Sequence, residues 1–109
     1  MNSRIDKRPC VLVDLESIAV EIGRERPRTA LRFLDAAEKT FALLARFPQL
    51  GAQHPCLPES LRQIRCFPVK RFATFVVFYL VKDDGIEVIR VLHGARNMPA
   101  VFAAEEPNP

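Results

Sequence analysis

Apolar residues first gather in the run Cys10-Val11-Leu12-Val13, short enough for a strand. Asp14 follows in the position of an N-cap, its carboxylate placed to accept the free amides of a helix start. Leu15, Ile18, Ala19 and Ile22 then recur at i, i+3, i+4, i+7, one face of a first helix, and Gly23 offers its stop. Pro27 suits the first turn of a second helix. Ala30, Leu34, Ala37, Phe41 and Leu44 repeat at alternating steps of four and three until about Phe47, where Pro48 ends the stripe. Two neighbouring amphipathic helices with a short break predict an antiparallel hairpin.

Residues 48–60 hold Pro48, Gly51, Pro55 and Pro58 and predict a loop. Residues 61–67 predict a second strand, with Pro68 interrupting its alternation. Residues 72–81 are nearly all apolar or β-branched, as in a central strand buried on both faces. Lys82-Asp83-Asp84-Gly85 is a turn, its Asp-Gly pair suited to positive φ, and residues 86–93 return as the last strand. Strict alternation puts Val88, Arg90 and Leu92 on one face, and Glu87, Ile89, Val91 and His93 on the other. The predicted order is β-α-α-β-β-β. The class is α+β, a helical hairpin packed on a small, mainly antiparallel, twisted sheet.

A chain of 109 residues is expected to form one domain. Its boundaries are read as an N-terminal extension at 1–9, a domain at 10–102 and a tail at 103–109. Charge sharpens the picture. Residues 1–60 carry nine Lys/Arg and eight Asp/Glu, whereas residues 61–97 carry seven against three. The basic second half suits an acidic partner or nucleic acid. Cys10, Cys56 and Cys66 are odd in number and lack a C-x-x-C pair, so reduced structural thiols are expected and no metal or other cofactor. No apolar run approaches the ~20 residues of a membrane helix. The first eight residues lack the apolar core of a signal peptide, so the expected location is cytoplasmic.

Three local signatures carry a resemblance. They are Asp14-Leu15-Glu16-Ser17-Ile18, Phe47-Pro48-Gln49-Leu50-Gly51 followed by Leu61-Arg62, and Phe75-Val76-Val77-Phe78-Tyr79 joined by the hairpin to the run from Ile86 through Leu92-His93-Gly94-Ala95-Arg96. In this order and spacing, over residues 11–102, the chain resembles the RelE/ParE toxins of type II toxin–antitoxin systems. The resemblance implies a cognate antitoxin, a possible toxin–antitoxin hetero-oligomer and no membrane. It leaves two branches open, DNA gyrase inhibition as in ParE or ribosome-dependent mRNA cleavage as in RelE. A non-toxic binding domain of the same fold is a further alternative.

Cleavage needs cations for the phosphorane and groups that move protons. Arg96 matches the arginine that follows the last strand in cleaving relatives. However, Phe102 stands where they place a tyrosine, and Val76 and Leu80 stand where they have arginines. These departures favour the ParE branch. The nuclease candidates are Arg65, His93 and Arg96. Glu87 and His93 lie six residues apart on one strand, too far to pair. The expected target-binding residues are Arg90, His93, Arg96, Met98 and Phe102. The expected antitoxin-binding positions are Leu15, Ile18, Ile22, Leu31 and Phe33. His54 carries no signal, and Tyr79 is assigned to the core.

Overall fold

The computed structural model describes residues 3–53 and 59–94. A strand β1 (Arg4–Lys7) leads into helices α1 (Pro9–Gly23) and α2 (Pro27–Arg46). A 3-10 turn at Pro48–Leu50, a short β2 (Ala52–Gln53) and a second 3-10 turn at Glu59–Leu61 follow. The strands β3 (Arg65–Val69), β4 (Phe72–Lys82) and β5 (Gly85–His93) complete the five-stranded sheet, in spatial order β1-β5-β4-β3-β2. The expected helical hairpin lies on one face. All strand pairs are antiparallel except β1 with β5.

The first strand is earlier than its apolar run implied. Residues 10–13 form the first turn of α1, which starts at Pro9. Val11 is fully buried there, whereas Leu12 and Val13 are 61% and 67% exposed. Asp14 is therefore no N-cap but a buried residue inside α1. Arg4–Lys7, read as part of an extension, instead pairs with β5 from Arg4↔Gly85 to Lys7↔Val88. A four-residue edge strand rich in charge has little pattern of its own, and only its long-range parallel partner makes it a strand.

The second strand begins at Arg65, not residue 61, and runs through Pro68 to Val69. Leu61 and Ile64 cap the helix-free face with Phe78, Ile89 and Leu92. Proline cannot donate to the ladder, and the β3–β4 register shifts just after Pro68. The central strand β4 is fully enclosed only at Val77, Phe78 and Tyr79.

Neither Asp84 nor Gly85 has positive φ; among the described residues only Arg71 does, at 71°. Gly85 answers a different need. A Cβ there would run into the backbone of Arg4, meeting its carbonyl oxygen and lying 2.6 Å from its nitrogen. Glycine is what lets β1 close against β5.

The main core lies between sheet and helices, with Phe33, Phe41, Leu44, Val77, Tyr79 and Val88 fully buried. Phe33 meets Phe72 and Phe75 edge-on at 5.5 and 5.3 Å, a favoured aromatic geometry.

Candidate functional site

The end of β5 is shaped by a bulge. Phe78 pairs with Arg90 but Tyr79 with Val88, so Ile89 is an extra residue on β5. Beyond it the facing changes. Val88 and Val91 both join the helix-side core, and Ile89 and Leu92 both join the far-face cluster. Strict alternation had paired Val88 with Leu92 and Ile89 with Val91, and the bulge overturns both pairings.

Arg90 consequently reaches α1. Its Nε and Nη2 donate to the two carboxylate oxygens of Asp14, each at 2.8 Å. Asp14 also accepts the backbone N–H of Val91 at 3.0 Å, drawing the bulged segment onto the helix. The two side chains are 13% and 9% exposed. Arg90, expected at the target surface, is thus held in a nearly buried pair with α1. Cys10, one turn before Asp14, donates to the Ile89 carbonyl at 3.2 Å.

His93 is exposed at the strand end, its ring edge-on to Phe75 at 5.6 Å. It borders a shallow cleft of about 170 Å³ shared with Ser17, Ile18 and Glu21 of α1. The charged neighbours on this cleft are carboxylates, Asp14 and Glu21. Asp14 is already neutralised by Arg90, which leaves Glu21 as the acid facing His93 across the cleft, and none of the cleft's lining residues is a Lys or Arg that could hold a phosphate.

Arg65 is held elsewhere. It donates to the Gly51 carbonyl at 2.5 Å and to Gln49 Oε1 at 2.6 Å. Tyr79 completes the same tie, donating to the Pro48 carbonyl at 2.7 Å and accepting from the Gly51 amide at 2.8 Å. The Pro48-to-Gly51 signature therefore fastens the end of α2 to the sheet, and a Cβ on Gly51 would strike the Tyr79 hydroxyl. Burial pushes the Tyr79 phenol up, opposed in part by the Gly51 amide and the Arg65 charge. Burial likewise pushes the Cys66 thiol up, which disfavours the reactive thiolate.

Arg65 pairs with Tyr79 and His93 with Phe75, four residues apart along β4 and on opposite flanking strands. By strand rise and spacing they stand roughly 17 Å apart. The nuclease candidates Arg65 and His93 do not converge. Arg96, Met98 and Phe102 lie outside the described residues, as do His54, Cys56 and the tail.

The expected antitoxin positions separate in the same way. Leu15 and Phe33 are in the core, and Ile18 and Ile22 pack against it. Of the five, only Leu31 is a strongly exposed side chain, at 68%. The exposed apolar groups of α1 are instead Leu12, Val13 and Val20.

A family model described as "ParE toxin of type II toxin-antitoxin system, parDE" matches residues 8–98. The chain belongs to the ParE toxin family. Among solved structures, "Chromosomal ParDE TA system from P. aeruginosa" is similar, with a TM-score of 0.66 and 20% identity. That match covers 82% of this chain and 92% of that one, and at this identity it carries the fold alone. No curated protein matches. In this ParE-family toxin the polar ties that back up the apolar core are the Asp14–Arg90 pair and the Pro48-to-Gly51 tie. Each joins a helical element to the sheet. Among the described residues no helix is long and apolar enough to cross a membrane.

Proposed function

We propose that this ParE-family toxin inhibits DNA gyrase through the end of β5 and the segment that follows it, and that its cognate antitoxin neutralises it. The observation that carries the reading is the family match over residues 8–98. Two further observations support the gyrase branch over mRNA cleavage. Arg65 and Arg90 are committed to structural partners, and His93 borders a cleft with no Lys or Arg in its lining. At the target surface the reading keeps His93, Arg96, Met98 and Phe102, a mixed cationic and apolar patch suited to a protein partner.

The test is a supercoiling assay with purified gyrase and a translation assay with ribosome-bound mRNA, both run on the chain without antitoxin. Loss of supercoiling with intact mRNA is the expected result. Codon-spaced mRNA cuts with full supercoiling would overturn it.

A further inference from the structure

One surface is occupied by neither the core nor the β5 end. Arg32, Asp35, Ala36 and Lys39 lie at i, i+3, i+4, i+7 on one face of α2. Lys70, Arg71 and Phe72, in and beside the β3–β4 turn, form the facing wall of a cleft of about 680 Å³. Its only carboxylate, Asp35, is engaged by Lys39 at 2.9 Å. Among the described residues, Arg32, Lys70 and Arg71 make no ion pair.

The backbone that carries Lys70 and Arg71 is fixed against the helix that carries Arg32. Thr40, fully buried, donates to the Ala36 carbonyl at 2.7 Å and accepts the backbone N–H of Lys70 at 3.2 Å. The hairpin turn is thereby pinned to α2. Arg71 sits at φ 71°, a left-handed conformation that strains any residue with a Cβ and that glycine would adopt freely. The cleft therefore gathers Arg32, Lys70 and Arg71 around one carboxylate that Lys39 already engages, with Arg71 kept on a strained backbone, and its excess positive charge is complementary to an acidic partner.

We infer that this cleft docks an acidic peptide segment of a partner protein, with one apolar side chain of that segment seated on Phe72 and Ala36. The apolar floor of Ala36 and Phe72 favours such a peptide over a run of phosphates, which would leave it unused. The inference rests on the antitoxin reading for which protein carries the segment, but not for the chemistry of the cleft.

The test is fluorescence anisotropy on the full chain, with a labelled peptide of Asp and Glu around a single Leu. Arg32→Glu with Lys70→Glu is expected to weaken binding roughly tenfold or more. Arg24→Glu with Arg62→Glu, an equal change of charge on exposed residues outside the cleft, should weaken it less than about twofold. Arg71→Gly should weaken binding while raising thermal stability, which separates a binding loss from an unfolding loss. Equal losses in both charge-reversed pairs would overturn the cleft, as would tighter binding of a DNA duplex of matched length with the same dependence on Arg32 and Lys70. Neither gyrase nor antitoxin is in this assay, so its failure leaves those readings standing. Conversely, tight peptide binding at the cleft survives a genomic neighbour that fails to bind.

Discussion

Asp14 and Arg90 illustrate how a single residue changes meaning once its surroundings are known. Both are nearly buried and bidentate, and Asp14 also satisfies the Val91 amide. Removing one partner leaves a buried charge uncompensated, at a cost of about 3–5 kcal/mol. Asp14→Ala should therefore lower urea-derived stability by about that amount, a large share of the roughly 5–15 kcal/mol that such a domain holds. Asp14→Asn, which still accepts from Val91, should cost less. A loss under about 1 kcal/mol for Asp14→Ala would show that the pair is solvated and dispensable. In sequence Asp14 looked like an N-cap because an acid preceded an apolar stripe. Nothing local distinguishes that from an acid waiting for an arginine 76 positions on. Tyr79 yields a pH prediction. Its folded pKa is raised, first by burial, so the unfolded chain loses the phenolic proton more readily. The stabilising effect of the neutral phenol is intact below the ordinary value of about 10. It disappears as pH climbs through the folded value. Melting curves between neutral and strongly alkaline pH should fall more steeply for the wild-type chain than for Tyr79→Phe. Parallel slopes would refute the assignment.

Among the elements, α2, β4 and β5 were legible because each carries a long, regular period. The stripe from Ala30 to Leu44 became a helix with Ala30, Ala37, Phe41 and Leu44 buried. The paired apolar strands became the β4–β5 hairpin. What the period hid was its own interruption. One extra residue at Ile89 reverses the facing of everything after it, and no spacing rule announces a bulge. The strand β1 escaped for the opposite reason: Arg-Ile-Asp-Lys holds one apolar residue, and its pairing partner is distant in sequence. Its dependence on Gly85 can be tested. Gly85→Ala places a methyl against the Arg4 backbone, where relief requires β1 to move away. Overpacking of this kind costs about 1–3 kcal/mol. Hydrogen exchange should speed up at Arg4–Lys7 while α2 and β4 stay protected. Unchanged protection of β1 would mean that the edge accommodates the side chain. The β3–β4 turn should respond with the opposite sign. Arg71→Gly relieves a positive φ and is expected to stabilise by about 0.5–1 kcal/mol, the strain relief being offset in part by a more flexible unfolded chain. Equilibrium denaturation would detect it.

At the scale of the whole molecule, the two structural ties divide stability from action. Asp14–Arg90 and the Tyr79–Arg65 grip on residues 48–51 both lie within the folded body, and both involve residues that sequence alone offered as functional or core. Removing the cations they use would weaken the fold itself, so a loss of toxicity on such changes says nothing about the target. The informative perturbation lies beyond them. Residues 98–102 follow the last strand as Met98-Pro99-Ala100-Val101-Phe102, two residues after Arg96. They are apolar, with no core period left to satisfy. A chain ending at Asn97 keeps every strand and helix described above, so it should melt cooperatively and still bind antitoxin. If the segment carries the contact with gyrase, the truncated chain should lose supercoiling inhibition. Arg96→Ala in the full chain should weaken inhibition by on the order of tenfold, as for an interface residue costing above 1 kcal/mol. A truncated chain that melts like wild type and inhibits gyrase equally well would place the toxic surface elsewhere on the body. His93 at the cleft beside α1 would then be the next residue to change, because it is the exposed member of the original patch that the folded body itself holds in place.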